Sequence, residues 1–359
     1  SEGVESRLRA APLIGALALI VACATPPPAP PPRPAVKGPP IDTTKVPLTD
    51  LLTGTYFGNQ GGLYPGGSNQ PPADHDSAIK ARRNRIRPLD VNGDESPFGK
   101  YVLLSIGRSN ATQEWCSAAT RPPCAAWTLM GRAAPDPSVN HFTMVIVNGA
   151  DSSRQDARGW ASATSPNYDR IKTGRLTPLG LSENQVQVIW AELDDLAPVY
   201  SLPSDSADAH VLAAHIGQVL RALRTRYPYL ELVFLSSRLY AGYSTTDLAP
   251  EPFAYEQGFA VKWVIEAQIK EMRGSPPDPW VGSLNYVKKT APVVLWGPYL
   301  WARGETPRSD GMLWRRTDFE ADGSTPSQDG ESKVGLALLN FFKTSLYTRC
   351  WFVNGQNCL

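Results

Sequence analysis

The chain has almost no excess of basic over acidic residues, and it has no long apolar run after the one near its start. Its 359 residues include 35 basic and 34 acidic side chains, giving a formal charge of +1, and they form no basic stripe. Nucleic-acid-binding proteins concentrate lysine and arginine on one face, so we expect no nucleic-acid partner. Beyond residue 21, no apolar segment approaches the roughly 20 residues of a membrane-spanning helix. The remaining length is enough for one large core.

Histidine is scarce, and the few histidines do not form a metal site. The four are His75, His141, His210 and His215. His210 and His215 stand five residues apart on a predicted helix, so they point to different faces. Asp194, Asp195 and Asp310 suggest a cation, but no group of histidine, cysteine and carboxylate has the spacing of metal ligands. We therefore expect neither a metal nor another cofactor.

The first residues have the pattern of an export signal. Arg7 and Arg9 precede an apolar run at residues 13–21, which is too short to span a bilayer but suits the core of a signal peptide. The run ends at Cys23 in a stretch that resembles the lipobox of bacterial lipoproteins. The resemblance implies a signal peptide at residues 1–23, lipidation of Cys23, and a lipid-anchored protein of the bacterial cell envelope, on its periplasmic or extracellular face. The alternative is an ordinary signal peptide with a chance cysteine.

A proline-rich segment follows at residues 24–44. Proline fixes φ and removes a hydrogen-bond donor, so this segment cannot form a packed core. We predict an extended, semi-rigid linker between the membrane anchor and the folded domain. A proline-rich docking motif is the alternative.

The five cysteines are consistent with export. With Cys23 carrying the lipid, Cys116, Cys124, Cys350 and Cys358 remain, and three pairings of them are possible. Disulfides form in oxidising compartments, and short loops lose the least entropy on closure. The sequence therefore favours the local pairs Cys116–Cys124 and Cys350–Cys358, with buried free thiols as the alternative.

The body of the chain alternates short apolar runs with helical patterns. The runs cover residues 101–106, 142–147, 186–190, 230–235 and 292–296, and the helical patterns cover 207–226, 253–272 and 327–342. Such runs are typical of strands buried on both faces of a parallel sheet. Their alternation with helices predicts a three-layer, doubly wound α/β domain of the flavodoxin-like kind over residues 100–359.

Residues 45–99 differ from this pattern because glycine, proline and asparagine are frequent among them. Turns and irregular backbone dominate such compositions. We predict an irregular N-terminal extension that packs over the main domain.

Three short motifs lie where predicted strands end or where the last helix begins. They are Gly107-x-Ser109-Asn110, Asn148-Gly149-Ala150 and the block at residues 322–327, which begins at Asp322. In this order they resemble the SGNH hydrolases, or GDSL-type esterases, over about residues 100–345. The Gly-x-Ser-Asn form is similar to the branch with carbohydrate acetylesterases, and Trp-Gly-Pro-Tyr-Leu-Trp at residues 296–301 resembles lipoprotein-like relatives.

The resemblance implies a serine ester hydrolase acting on a carbohydrate ester or another acyl ester. Ser109 takes the place of the nucleophile, Gly149 that of an oxyanion N–H donor, and Asn110 belongs to the same binding region. Asp322 takes the place of the aspartate that orients the catalytic histidine. Thr325 stands where that histidine belongs, and the third oxyanion donor, often asparagine, is not identified.

The missing histidine argues against ordinary catalysis. A serine hydroxyl needs a base to take its proton, histidine suits that task, and threonine does not. His75 in the extension is the one candidate for a substitute, and His141 precedes the second strand, away from the site. The alternatives are a damaged esterase and an inactive ligand- or glycan-binding lipoprotein. Ser109 itself has a plainer interpretation as a helix N-cap.

Two further residues are candidates for the pocket. Arg238 and Tyr240 follow the fourth predicted strand, and an arginine there is able to hold a carboxylate or sulfate. A salt bridge from Arg238 to Glu251 or Glu256 is the equal alternative. The aromatic residues of the 296–301 segment are interpreted either as a sugar-stacking rim or as ordinary core.

Overall fold

The structure is a computed structural model, and it describes residues 45–117, 121–153 and 155–358. The predicted signal peptide, its lipidation site Cys23 and the proline-rich linker lie outside the described residues. Within these ranges, no helix is long and apolar enough to cross a membrane.

Seven strands and nine α-helices make up the described part. The strands are β1 (Thr55–Tyr56), β2 (Asn59–Gln60), β3 (Tyr101–Gly107), β4 (Met144–Asn148), β5 (Val186–Glu192), β6 (Leu232–Ser236) and β7 (Val293–Trp296). The helices are α1 (Leu48–Leu51), α2 (Ala73–Arg83), α3 (Ser109–Cys116), α4 (Leu129–Ala133), α5 (Pro166–Ile171), α6 (Asp208–Arg226), α7 (Phe253–Met272), α8 (Gln328–Thr344) and α9 (Arg349–Phe352).

Five of the strands form a parallel sheet in the order β4-β3-β5-β6-β7. This is the order of flavodoxin-like doubly wound folds, in which ligands lie beyond the carboxyl ends of the strands. Successive residues of a strand point to opposite faces, and Leu103 and Leu104 accordingly belong to different hydrophobic clusters. One cluster packs against α6 and α7 and the other against α3 and α8, so the predicted three-layer α/β fold is confirmed.

The strands begin and end close to the predicted positions. The differences reach two residues, at the end of β5 and at the starts of β6 and β4. At β4, residues 142 and 143 precede the strand. The side-chain oxygen of Asn140 accepts hydrogen bonds from the N–H groups of Phe142 and Thr143, and this turn leaves Phe142 66 % exposed. The hydrogen bonds to the Asn140 side chain therefore hold these residues in a turn, and β4 begins after it.

The extension at residues 45–99 carries α1, α2 and the β1–β2 hairpin, joined by irregular segments. It packs on the sheet domain: Leu48, Tyr56 and Tyr64 enter one hydrophobic cluster and Ile79 enters the other. The extension thus contributes to both faces of the domain.

The two local disulfides are confirmed. Cys116 is bonded to Cys124, and Cys350 is bonded to Cys358. Each bridge closes a loop of 8 residues in sequence separation. The first ties the end of α3 to the segment before α4, and the second ties α9 to the C-terminal segment.

Candidate active site

Ser109 is the first residue of α3, directly beyond the carboxyl end of β3. The strand ends at Gly107, whose φ is +145° and where a Cβ atom would lie 2.4 Å from the carbonyl oxygen of Glu192. Only glycine permits this approach of β3 to β5. The N-cap position belongs to Arg108, so Ser109 is not the cap that its plainer interpretation required.

The hydroxyl of Ser109 is available at this helix start. Ser109 is half-buried, and no hydrogen bond joins its Oγ to the part of the chain that the structure describes. The positive end of the α3 dipole lies here, which favours negative charge near Ser109. The position is suited to binding an ester carbonyl or another electronegative group.

The structure brings the Asp322 block next to this helix. The side-chain amide of Asn110 donates to the carbonyl oxygen of Ser324 at 3.4 Å. The two motifs therefore lie next to each other beside Ser109, although 214 residues separate Asn110 from Ser324.

The Asp322 carboxylate is engaged within its own turn. Its Oδ1 accepts from the N–H of Ser324 at 3.0 Å and from the N–H of Thr325 at 2.9 Å. Its Oδ2 accepts from the Thr325 hydroxyl at 2.6 Å. Burial raises the pKa of Asp322, but the hydrogen bonds from Thr325 and the two N–H groups outweigh it and leave the pKa below its ordinary value. Asp322 is therefore an ionised acceptor whose partner is threonine.

All four histidines have their contacts elsewhere. His75 Nε2 lies 3.0 Å from the Val294 carbonyl oxygen, and His141 Nε2 lies 3.0 Å from that of Asp136. His210 stacks on Trp263, and His215 Nδ1 lies 2.9 Å from an Asp195 oxygen. Burial lowers the pKa of His75 to about 4. None of these contacts is with Ser109, and His75 covers the sheet edge instead of the site.

The N–H of Gly149 is engaged in the loop after β4. It donates to Ser105 Oγ at 3.2 Å, and Ser105 Oγ in turn donates to Asn148 Oδ1 at 3.0 Å. The N–H of Ala150 donates to the same Asn148 oxygen at 3.2 Å. In this arrangement the Gly149 N–H does not face an oxyanion, and its predicted role would require the Ser105 bond to open.

Arg238 forms a buried ion pair, but with neither of the predicted partners. Its guanidinium contacts Asp194 Oδ2, and Arg108 contacts the same oxygen at 2.5 Å. Glu251 and Glu256 instead accept hydrogen bonds from other residues. The reason is sheet topology: Asp194 follows β5 and Arg238 follows β6, and these strands are neighbours. An acceptor-only carboxylate thus lies where the third oxyanion donor would be expected.

A second acidic feature beneath α3 was not predicted from the sequence. Glu114 is 0 % exposed and Glu192 is 5 % exposed. Burial raises the pKa of Glu192 to about 7 and raises that of Glu114 well above its ordinary value. A narrow crevice beside them, too small to hold a water molecule, is lined by Arg108, Asn110, Ala111, Glu192 and Asp194. The sequence did offer a signal for this feature, because Glu192 is an acidic residue at the end of a predicted buried strand.

The aromatic residues after β7 belong to the core. Trp296 is 3 %, Tyr299 5 % and Trp301 0 % exposed. Tyr240 makes edge contacts with Tyr243 and Trp301. The core interpretation of the 296–301 segment is therefore confirmed, and the contact of Tyr240 with a ligand stays a prediction.

The described residues contain no group of three or more histidine, cysteine, aspartate or glutamate side chains placed to hold a metal ion. Asp194 is paired with Arg108 and Arg238, and Asp322 accepts hydrogen bonds within its own turn.

The chain resembles known proteins only distantly. No family model and no curated protein matches the chain. An extracellular lipase from Streptomyces rimosus matches with 14 % identity over 67 % of this chain and 98 % of its own, at a TM-score of 0.31. A carbohydrate esterase family 2 enzyme plus carbohydrate binding domain from Corynascus thermopiles (Myceliophthora fergusii) matches with 16 % identity, over 67 % of this chain and 66 % of its own, at a TM-score of 0.33. Matches of this size assign neither activity nor site residues to the chain.

Proposed function

We propose that this chain is an exported, non-hydrolytic relative of the SGNH-type ester hydrolases. Its site at Ser109 binds an acylated carbohydrate or a similar small ester without cleaving it. In this proposal the protein is attached to the bacterial cell envelope through Cys23, and the resemblance to the lipobox supports this location. The two disulfides support an oxidising compartment.

One observation carries the non-hydrolytic part of the proposal. The Thr325 hydroxyl donates to Asp322 Oδ2 at 2.6 Å, so threonine occupies the partner position that a catalytic histidine would need. Without a base, the Ser109 hydroxyl keeps its proton and is a weak nucleophile. General-base assistance contributes about 10²–10⁴-fold to such reactions, so its loss is severe.

The binding part rests on what the site retains. Ser109 offers a hydroxyl without a hydrogen-bond partner in the described chain, at the positive end of α3. The Asn110–Ser324 contact keeps the Asp322 block against the helix start. These groups are able to hold a carbonyl or hydroxyl of a ligand.

An active esterase is the second candidate. The same free hydroxyl and helix start favour it, because they are the features of a nucleophile and an oxyanion site. It requires a base that the described contacts do not identify. Hydrolysis measurements separate the two functions.

The first test compares hydrolysis of p-nitrophenyl acetate by the unmodified chain, Ser109→Ala, Thr325→His and the double variant. A matched control is Thr344→His, at an exposed threonine that ends α8. We expect the unmodified chain, Ser109→Ala and the control to remain at background. Thr325→His should gain at least about tenfold, and the double variant should lose that gain.

Two outcomes contradict the proposal. Hydrolysis by the unmodified chain that Ser109→Ala abolishes would establish an active esterase with an unrecognised base. An inactive Thr325→His variant that folds normally would remove the support for Ser109 and Asp322 as parts of one ancestral site.

Binding is tested directly by saturation-transfer NMR with acetylated xylo-oligosaccharides. Signal transfer to the acetyl protons is expected for the unmodified chain and should be lost in Ser109→Leu, which fills the site. Thr344→His should retain it. Transfer that is equal in all three proteins, or absent from the unmodified chain, would contradict binding at Ser109.

A further inference from the structure

Three aromatic rings stack on the outer surface of the α6–α7 layer, and we name them the aromatic platform: His210, Trp263 and Trp280. The His210 ring lies 4.4 Å from the Trp263 ring at an interplanar angle of 9°. It lies 5.6 Å from the Trp280 ring at 25°. Trp280 is the outer ring and is 47 % exposed. The platform thus presents an indole to solvent on top of two supporting rings.

The backbone that carries Trp280 is fixed by a tight turn. Asp278 Oδ1 accepts from the N–H of Trp280 at 2.9 Å and from the N–H of Val281 at 3.0 Å. The N–H of Gly282 donates to the Asp278 carbonyl oxygen at 2.8 Å. Arg221 donates to the Val281 carbonyl oxygen at 2.7 Å, which ties the turn to α6. An exposed indole held this way loses little conformational entropy when a ligand binds.

The charged groups that act on the His210 imidazole are acceptors. Asp205 and Asp278 both act on the His210 imidazole and raise its pKa, but burial has the larger effect and leaves that pKa below its ordinary value. Burial therefore favours the neutral imidazole, and the two charged groups that act on it are carboxylates. Carboxylate oxygens accept hydrogen bonds from hydroxyl groups.

The shape of the platform selects among ligands. Quaternary ammonium groups are bound in aromatic cages, where several rings surround the cation. Here the rings lie on top of one another and leave one flat indole open. A flat aromatic surface beside hydroxyl acceptors suits the apolar face of a sugar ring.

We propose that the aromatic platform binds a neutral glycan, with one sugar ring stacked on Trp280 and its hydroxyls donating to Asp205 and Asp278. This is a second ligand site, on the helical layer, and it does not depend on the chemistry at Ser109. It would hold the protein on an envelope or substrate polysaccharide.

The experiment follows the indole N–H signals of the full chain by NMR during titration with cellotetraose, xylotetraose and chitotetraose, each to about 10 mM. The Trp280 signal is assigned by its absence from Trp280→Phe. We expect saturable shifts of that signal with at least one sugar, and at least tenfold weaker binding in Trp280→Ala. Trp280→Phe should keep most of the affinity, and Phe142→Ala, which removes another exposed aromatic ring, should match the unmodified chain.

Each other outcome overturns the proposal. No shift with any of the three sugars would do so, as would equal affinity in Trp280→Ala. Choline chloride shifting the Trp280 signal while the sugars do not would indicate a cation site. Ser109→Leu separates this proposal from the function proposed above, because it should leave sugar binding at Trp280 unchanged.

Discussion

At the scale of the residue, the carboxyl pair under α3 is the least expected feature. Neither Glu114 oxygen, nor Oε2 of Glu192, has a hydrogen-bond partner among the residues described. Two ionised carboxylates side by side in a buried site would repel each other, and burial raises the pKa values of both Glu114 and Glu192.

The raised pKa of Glu192 makes stability depend on pH. The pKa of Glu192 is about 7 in the folded protein, raised by burial, against an ordinary value of 4.5. The folded state therefore binds more protons than the unfolded state between about pH 4.5 and 7, so the free energy of unfolding falls as pH rises through that window. The groups that face the pair are Arg108, Asp194, Arg238 and, from α8, Glu331.

We expect Glu192→Gln to flatten this dependence. The variant should be more stable than the unmodified chain at pH 8 by at least about 1 kcal/mol, because the amide does not ionise and burial of a charged Glu192 is avoided. Urea unfolding at pH 5 and pH 8 measures it. Glu305→Gln, at an exposed glutamate, is the control and should keep the unmodified slope. An unchanged slope in Glu192→Gln would show that the pair does not titrate in this window.

The sequence predicts part of this site for a physical reason. Ser109 and Asp322 lie in local motifs at a strand end and before a helix, so their placement follows from chain order and fold class. The Asp194–Arg238 pair spans 44 residues and depends on β5 and β6 being neighbours. In the sequence, Glu192 is one more residue at the end of an apolar run. Its burial depends on α3, which packs over it in the folded chain. Composition and periodicity thus do not predict the contacts between segments that are distant in the sequence, and this part of the site was missed.

At the scale of the element, the N-terminal extension covers the open edge of the sheet at β7. The N–H of Trp296 donates to the Tyr64 hydroxyl at 3.2 Å, and the Trp296 indole donates to the Leu63 carbonyl oxygen at 2.6 Å. His75 contacts the Val294 carbonyl oxygen at 3.0 Å. An uncovered edge strand invites pairing with another chain. The glycine-rich composition predicted an irregular segment, but not that its side chains replace a neighbouring strand.

Tyr64→Phe tests this role of the extension. It keeps the ring and removes the only acceptor assigned to the buried Trp296 N–H within the described residues. An unsatisfied buried N–H costs about 1–3 kcal/mol, so we expect a loss of that size in the free energy of unfolding by urea. Tyr229→Phe is the control, at a half-buried tyrosine whose hydroxyl makes no hydrogen bond to the residues that the structure describes. Equal stability of the two variants would mean that water replaces the hydroxyl.

At the scale of the whole molecule, the cysteines divide into two kinds. Four are paired in short local loops. By lowering the entropy of the unfolded chain, each bridge raises the free energy of unfolding by about 2 kcal/mol. Cys23 is the fifth, and it lies outside the described residues. Because the other four are consumed by disulfides, Cys23 is the one cysteine left for a covalent anchor.

This division makes lipid attachment testable with a matched control. In a bacterial host that exports lipoproteins, we expect the full chain to incorporate labelled palmitate and to partition into the detergent phase of Triton X-114. Cys23→Ala should abolish both, because a chain without acyl groups has no anchor. The Cys350→Ala/Cys358→Ala double variant should keep the label and the partitioning while losing about 2 kcal/mol of stability. If Cys23→Ala still enters the detergent phase, another segment contacts the membrane and the resemblance to the lipobox is accidental.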